Sequence, residues 1–382
     1  MKKNAFILFY TYIIFGFLSY MKIPYNNIFY QSKFIIFGIS FGLLFLLTYK
    51  CFLTNKKLSI NKILLFLLYL WLIFMISSMF INFTGFNGAF FALSLVFVLF
   101  FSLILLPKNH NVGNLDTLLS SFLKILLFTT LFSIIYSLVG FTPKSYIDPS
   151  TFRDRYTFGF SNANYLGMVS FLGITLSILL FSIRKKILYL ASLSIFVYTV
   201  IASDSRTALW SALLWGFTFI TFKLINKPQV QIVLAPALIL VALILTRTKL
   251  LTYEKIDELS SYRLTNWTIL TKDMNHMELI FGKGIGISAS DLANNTTFDN
   301  FFVGIFVQSG IIGSVLLVTI LSLIFIKIIR LKDTFQKRIA VSFYLSWILY
   351  SVFESSFISL SNPISIIIWM IIGVTIAPKS AQ

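Results

Sequence analysis

Apolar residues run along the chain in long stretches, separated by short clusters of Lys, Asn, Ser and Gly. A helix needs about 20 such residues to cross a bilayer. Apolar windows predict helices over approximately 4–21, 34–53, 63–82, 86–106, 118–141, 163–183, 187–203, 206–225, 229–246, 301–326, 339–353 and 362–376. The fold class expected is therefore all-α, a polytopic membrane protein with about 12 transmembrane helices. An even number of spans places both termini on one side. Met1-Lys2-Lys3 followed by apolar residues to Tyr20 has the outline of a signal peptide, but no small-x-small site precedes Met21, so the segment reads as an uncleaved first span.

The pattern breaks once. Between Arg247 and Asn300 acidic and basic residues interleave, and Gly282, Gly284 and Gly286 follow in close succession. Three regions result: 1–246, a bundle of the first nine helices; 247–300, a large extracytoplasmic loop; and 301–382, the last three helices. The stretch from Tyr253 to Leu279 lacks Gly and Pro and spaces Ile256, Leu259, Leu264, Trp267 and Leu270 near the helical period. One or two amphipathic helices at the membrane surface are expected there. A second long loop, 142–162, lies on the same side, and no internal repeat of the kind found in many carriers is visible.

Composition sharpens this picture. With 58% hydrophobic and 12% charged residues, against about 25% charged in ordinary soluble domains, the chain could not cover its apolar surface in water. A single cysteine, Cys51, excludes an intrachain disulfide, and two distant histidines, His110 and His276, make a His-rich metal site improbable. No metal and no cofactor are expected. The net charge of +18 is spread over short loops rather than gathered in a patch, which argues against nucleic acid and for an orientation signal. With the N-terminus inside, the short inner segments hold eighteen Lys or Arg and the short outer loops six. Both termini are thus expected in the cytoplasm, with the chain in the cytoplasmic (inner) membrane and lipids as its surroundings.

Three helices predicted to start at the outer face open with polar clusters: Ser161-Asn162-Ala163-Asn164, Ser203-Asp204-Ser205-Arg206 and Asp299-Asn300. Ser, Asn and Asp are the preferred N-caps. Free N–H groups at helix N-termini also bind phosphate, and five of the eight arginines, Arg153, Arg155, Arg206, Arg247 and Arg263, fall on this face. Arginine presents a planar donor fork suited to phosphate oxygens, so an anionic ligand at the outer face is one reading. Pairing with Asp148, Asp154, Asp204, Glu258 or Asp273 in a surface network is the other. Arg206 follows a loop too short to form a separate surface, so its head faces the interface or the bundle. Asp299 can serve as an N-cap, an arginine partner or a general base. Glu354, at the outer end of the eleventh span, can cap, snorkel or act as a second acid or base.

At these positions the sequence resembles the O-antigen polymerase and ligase family of bacterial membrane proteins, whose members handle polysaccharides carried on undecaprenyl diphosphate. The resemblance covers roughly 150–320. An Arg followed by a Gly-Phe-x-Asn-x-Asn-like stretch is matched by Arg155-Tyr156-Thr157-Phe158-Gly159-Phe160-Ser161-Asn162-Ala163-Asn164. A Ser-x-Ser-Arg-small motif is matched by Ser203 to Ala208. The large loop with Arg, Trp and Gly-x-Gly is matched by Arg263, Trp267 and Gly282 to Gly286, and the following helix by Asn300-Phe301-Phe302 through Gly310 and Gly313. Ligases of the family usually carry His before the Asn that opens that helix, whereas this chain has Asp299-Asn300, which favours a polymerase.

The resemblance implies glycosyl transfer on the outer face of the cytoplasmic membrane, with lipid-linked oligosaccharide on undecaprenyl diphosphate as substrate and no nucleotide. It implies Asp299, Arg206 and Arg263 as the catalytic set. Arg153, Arg155, Asn162, Asn164, Ser205, Arg247, Trp267 and Asn300 would then contact diphosphate or glycan. A chain-length regulator is a further partner on this reading. The alternatives are a ligase that moves finished polymer to lipid A core, and a lipid-linked oligosaccharide transporter, which would favour charges near the midplane and related halves.

Overall fold

The computed structural model describes residues 2–54, 62–82, 85–105, 115–147, 154–224, 257, 263–292 and 297–377. The expected ninth span, 229–246, lies outside the described residues, as do Arg153, Arg247, Ile256 and Leu259.

The described chain is all-α apart from one small hairpin. Its helices are α1 (Lys2–Leu18), α2 (Asn26–Thr54), α3 (Lys62–Asn82), α4 (Gly85–Phe100), α5 (Leu115–Leu138), α6 (Ala163–Arg184), α7 (Leu188–Ala202) and α8 (Arg206–Leu224). They continue with α9 (Arg263–Lys272), α10 (His276–Phe281), α11 (Ala289–Leu292), α12 (Phe301–Ile329), α13 (Thr334–Val352) and α14 (Pro363–Ile376). A π-helical turn, Phe101–Leu105, continues α4. Six helical segments are long and apolar enough to cross a membrane: Asn26–Leu47, Lys62–Met79, Gly88–Leu105, Leu115–Leu138, Ala163–Arg184 and Phe301–Ile329. Three shorter helices, over Asn4–Leu18, Leu188–Ala202 and Pro363–Ile376, are apolar as well.

The chain folds into two compact units, each assembled from separate stretches of sequence. The first comprises Met1–Leu65, Ser94–Trp215 and Ile358–Gln382, the second Phe66–Leu93 and Gly216–Phe357.

In the first unit, α1 packs on α2 and α6 on α7. Small polar residues join these pairs: Ser40 Oγ donates to the Ala5 carbonyl at 3.0 Å, and Ser170 meets Thr199 at 2.8 Å and Ser177 meets Ser192 at 3.0 Å. Such residues let backbones approach closely without leaving hydroxyls unsatisfied. Helix α14 is buried from Pro363 to Thr375. Its sequence is apolar all round, as a helix enclosed on every side requires. Asn362 caps it, accepting from Ile364 N at 3.0 Å, with Pro363 in the first turn where a missing N–H costs nothing.

In the second unit, α10 and α13 both pack along α12. Tyr344 OH donates to the Leu321 carbonyl at 2.8 Å. Helix α12 is broken at Gly310, whose φ of 63° and ψ of −164° are non-helical. The Gly-rich turn after α10 docks at that break: Lys283 N donates to the Val307 carbonyl at 2.7 Å and Gly284 N to the Gln308 carbonyl at 3.2 Å. Carbonyls released by the kink are thereby satisfied from the turn, which is how irregular backbone is tolerated inside a membrane bundle. The expected amphipathic segment ends α9 at Lys272 and restarts at Asn275, whose side chain accepts from Glu278 N while Glu278 Oε2 accepts from Asn275 N, both at 2.9 Å. This capping box gives each helix its own direction. Leu270 is buried with Ala289 and Val307.

Candidate functional site

The first unit builds one polar cluster from the two segments that carry the Arg-to-Asn and Ser-x-Ser-Arg motifs. Strands Ser145–Ile147 (β1) and Asp154–Tyr156 (β2) pair antiparallel and set Arg155 opposite Tyr146. This hairpin is absent from the all-α expectation; strands of three residues are too short to register as an alternation of apolar and polar positions. The chain then turns through Phe158 and Gly159, both at positive φ, and enters α6. Asn162 caps that helix, accepting from Tyr165 N at 2.7 Å.

Arg155 joins the start of α6 to the end of α7. Its Nη2 donates to Asn164 Oδ1 at 2.6 Å, on the first turn of α6, and its Nε to the Ser203 carbonyl at 3.0 Å, at the end of α7. Asp204 turns the chain at φ 47° into Ser205 and Arg206, which opens α8. Ser205 is only 3% exposed, and its hydroxyl has no partner among the described residues. Gly167 on α6 admits that side chain: a Cβ there would lie 2.3 Å from the Ser205 Cβ. Arg155, Asn162, Asn164, Ser205 and Arg206 therefore belong to one neighbourhood of this unit.

A second cluster stands in the second unit. Arg263, in α9, forms an ion pair with Glu354, Nη2 to Oε1 at 3.2 Å, while its Nη1 donates to the Asp299 carbonyl at 3.4 Å. Asn266, one turn along, donates to Asp299 Oδ2 at 3.5 Å, and Thr297 Oγ1 donates to Asp299 Oδ1 at 2.6 Å. Each carboxylate oxygen keeps a further lone pair. The cap of α12 is Asn300, accepting from Phe302 N and Val303 N at 2.8 and 3.1 Å, so Asp299 is free of the capping role. Trp267 is half-buried, and its indole N–H has no partner among the described residues.

Arg206 belongs to the first unit and Asp299 and Arg263 to the second. The acid beside Arg263 is Glu354, from a helix end 91 positions away, rather than one of its neighbours in sequence. Sequence reasoning missed Asn266 and Thr297; the one-turn spacing of Asn266 from Arg263 was the available signal. Among the described residues no group of three His, Cys, Asp or Glu side chains could hold a metal ion. No protein-family model matches the chain, and no curated protein matches it either.

Proposed function

We propose that the chain polymerises oligosaccharide repeat units carried on undecaprenyl diphosphate, by glycosyl transfer on the outer face of the cytoplasmic membrane, into O-antigen or capsular polysaccharide. The observation that carries the reading is the pair of bonds from Arg155, which ties the Arg-to-Asn motif at Asn164 to the Ser-x-Ser-Arg motif at Ser203. Two weak motifs thus meet around a guanidinium bonded to the first turn of α6 and to the C-terminal carbonyl of α7, three residues before α8 begins; the N-terminus of α6 is the part of this setting suited to phosphate. We take the chain to span the membrane about twelve times, with both ends in the cytoplasm.

In this mechanism a hydroxyl of the incoming repeat attacks the anomeric carbon of the growing chain. The bond from that carbon to the diphosphate oxygen breaks, and the leaving diphosphate takes the electron pair. A carboxylate accepts the hydroxyl proton, the role the resemblance gives to Asp299 of the second unit; within the first unit, Arg206, Arg155 and the starts of α6 and α8 suit the developing negative charge of the diphosphate. The cluster of the second unit has a different character. Arg263 and Glu354 nearly cancel, and Asn266, Thr297, Asp299 and Trp267 offer the mixed donors, acceptors and flat apolar face that suit a polyhydroxylated sugar.

The test is gel analysis of surface polysaccharide from a deletion strain complemented with wild type, Arg206→Ala or Asp299→Ala. A polymerase leaves a single repeat on its acceptor when deleted and restores a ladder when returned. Long polymer stranded on the lipid carrier would instead identify a ligase. Single lipid-linked repeats accumulating at the cytoplasmic face would identify a transporter.

A further inference from the structure

Lys33 lies within the apolar segment Asn26–Leu47 and is fully buried. Among the described residues no carboxylate pairs with it. Its Nζ donates to Ser19 Oγ at 3.0 Å and to the Ser361 carbonyl at 2.9 Å. The rings of Tyr30, Tyr20 and Phe34 surround it, with centroids at 4.3, 4.9 and 5.3 Å. An ionisable side chain buried among apolar spans is costly and is retained only where something depends on it. Two acceptors and three ring faces satisfy this ammonium within the unit, so its geometry is that of a clamp rather than of an open anion site.

What it clamps is the segment that follows α1. The Tyr20 ring stacks on Tyr165 of α6 at 4.0 Å. The Tyr20 carbonyl accepts from Ser161 N, and Lys22 N donates to the Gly159 carbonyl, both at 2.7 Å. Met21 and Phe160 form an antiparallel bridge between those bonds. Residues 20–22 thus line the stretch from Gly159 to Ser161 that leads from Arg155 to the cap of α6.

We infer that Lys33 is a positioning residue of the Arg155–Asn164 cluster, acting through Ser19 and Tyr20 to hold the Gly159–Ser161 stretch and the start of α6 in place. The inference rests on the polymerase reading for its functional consequence, but its structural core does not.

The test uses the full-length protein in membranes with Cys51→Ser. The pair Met21→Cys and Phe160→Cys reports on the bridge, and Ser170→Cys with Thr199→Cys reports on the packing of α6 against α7. Introducing Lys33→Met should slow disulfide formation at the first pair by about tenfold and leave the second unchanged. Adding Lys33→Met to Tyr20→Leu should then slow it no further, because the clamp acts through that ring. In the uncrosslinked protein, Lys33→Met should shorten the polymer ladder. Unchanged crosslinking at the first pair overturns the inference. Loss at both pairs overturns it too, since Lys33 would then support folding at large, and a full ladder despite a lost bridge removes the functional half. If the deletion strain shows that the protein is no polymerase, the crosslinking result still decides whether Lys33 holds the Gly159–Ser161 stretch.

Discussion

Arg263 and Glu354 meet at 3.2 Å with side chains only 14% and 19% exposed, joining α9 to the segment just beyond α13. A pair this far from water gains more than an exposed one, and removing one partner leaves the other charge poorly solvated. Glu354→Ala should lower stability by about 1–3 kcal/mol, read as earlier thermal unfolding in detergent. The double variant Arg263→Met, Glu354→Met should recover much of that loss, because two apolar side chains leave no charge behind, while remaining defective in polymer formation. A double variant with a normal ladder would remove Arg263 from the proposed chemistry.

Arg206 should not tolerate lysine. A point charge does not replace the planar fork, and loss of one donor to charge developing in a transition state costs about 100- to 1,000-fold in rate. Arg206→Lys and Arg206→Ala should therefore both shorten the ladder at normal expression. Full polymer length from the lysine variant would refute this role.

Arg155 makes two directed bonds to groups 39 positions apart in the chain, Asn164 and Ser203. Arg155→Lys can keep at most part of that geometry, and hydrogen bonds to a charged group are worth about 1.5–3 kcal/mol. The expected outcome is a local loosening of the 155–164 segment, measured as faster amide hydrogen exchange there, together with a shorter ladder. Exchange unchanged from wild type would show that the start of α6 and the end of α7 are held by other contacts.

The break in α12 depends on the absence of a side chain at Gly310. A Cβ there would sit 2.3 Å from the Ile280 carbonyl oxygen, at a φ of 63°. Gly310→Ala should thus cost about 1–3 kcal/mol for the backbone strain alone, with the displaced Gly282 turn adding to it. Gly38 and Gly42 in α2 have nothing within 4 Å of an added Cβ, so Gly38→Ala should leave folded yield in detergent unchanged. Equal yields from Gly310→Ala and Gly38→Ala would contradict the structure of the break.

Asp291 gives a pH signature. It accepts from Ser288 N at 2.9 Å, and the hydrogen bonds from Ser288 hold its pKa below the ordinary carboxylate value. A carboxylate with a depressed folded pKa contributes stability that is present above its unfolded pKa, about 3.9, and is lost as pH falls through the folded value. The protection of the amides at 288–292, taken as exchange relative to the intrinsic rate at each pH, should therefore hold at neutral pH and fall only in acid below that range. Asp291→Asn should abolish the acid-dependent step.

Much of this architecture is legible in the chain. Stretches of Phe, Leu and Ile too long for a soluble core announce apolar helices, and helices occupy eleven of the twelve apolar segments, the other lying outside the described residues, while six of the described helical segments are long and apolar enough to cross a membrane. Asn162, Asn300 and Asn362 mark helix starts because a short side-chain acceptor satisfies the N–H groups that a first turn leaves open. These are local effects, decided by residues within one or two turns of each other.

Partners across long separations follow a different logic. Glu354 rather than a nearby acid faces Arg263, the Ser203 carbonyl faces Arg155, and the Ser361 carbonyl faces Lys33 across 328 positions. Nothing in the local pattern encodes these choices, because they depend on which helix ends the packing brings together. The sequence by itself determined the membrane class, the helices and their caps, since burial of apolar side chains and satisfaction of backbone groups are short-range demands. Only the tertiary structure decided which charged and polar groups meet, because inside a low-dielectric bundle each must find a partner wherever the packed helices place one.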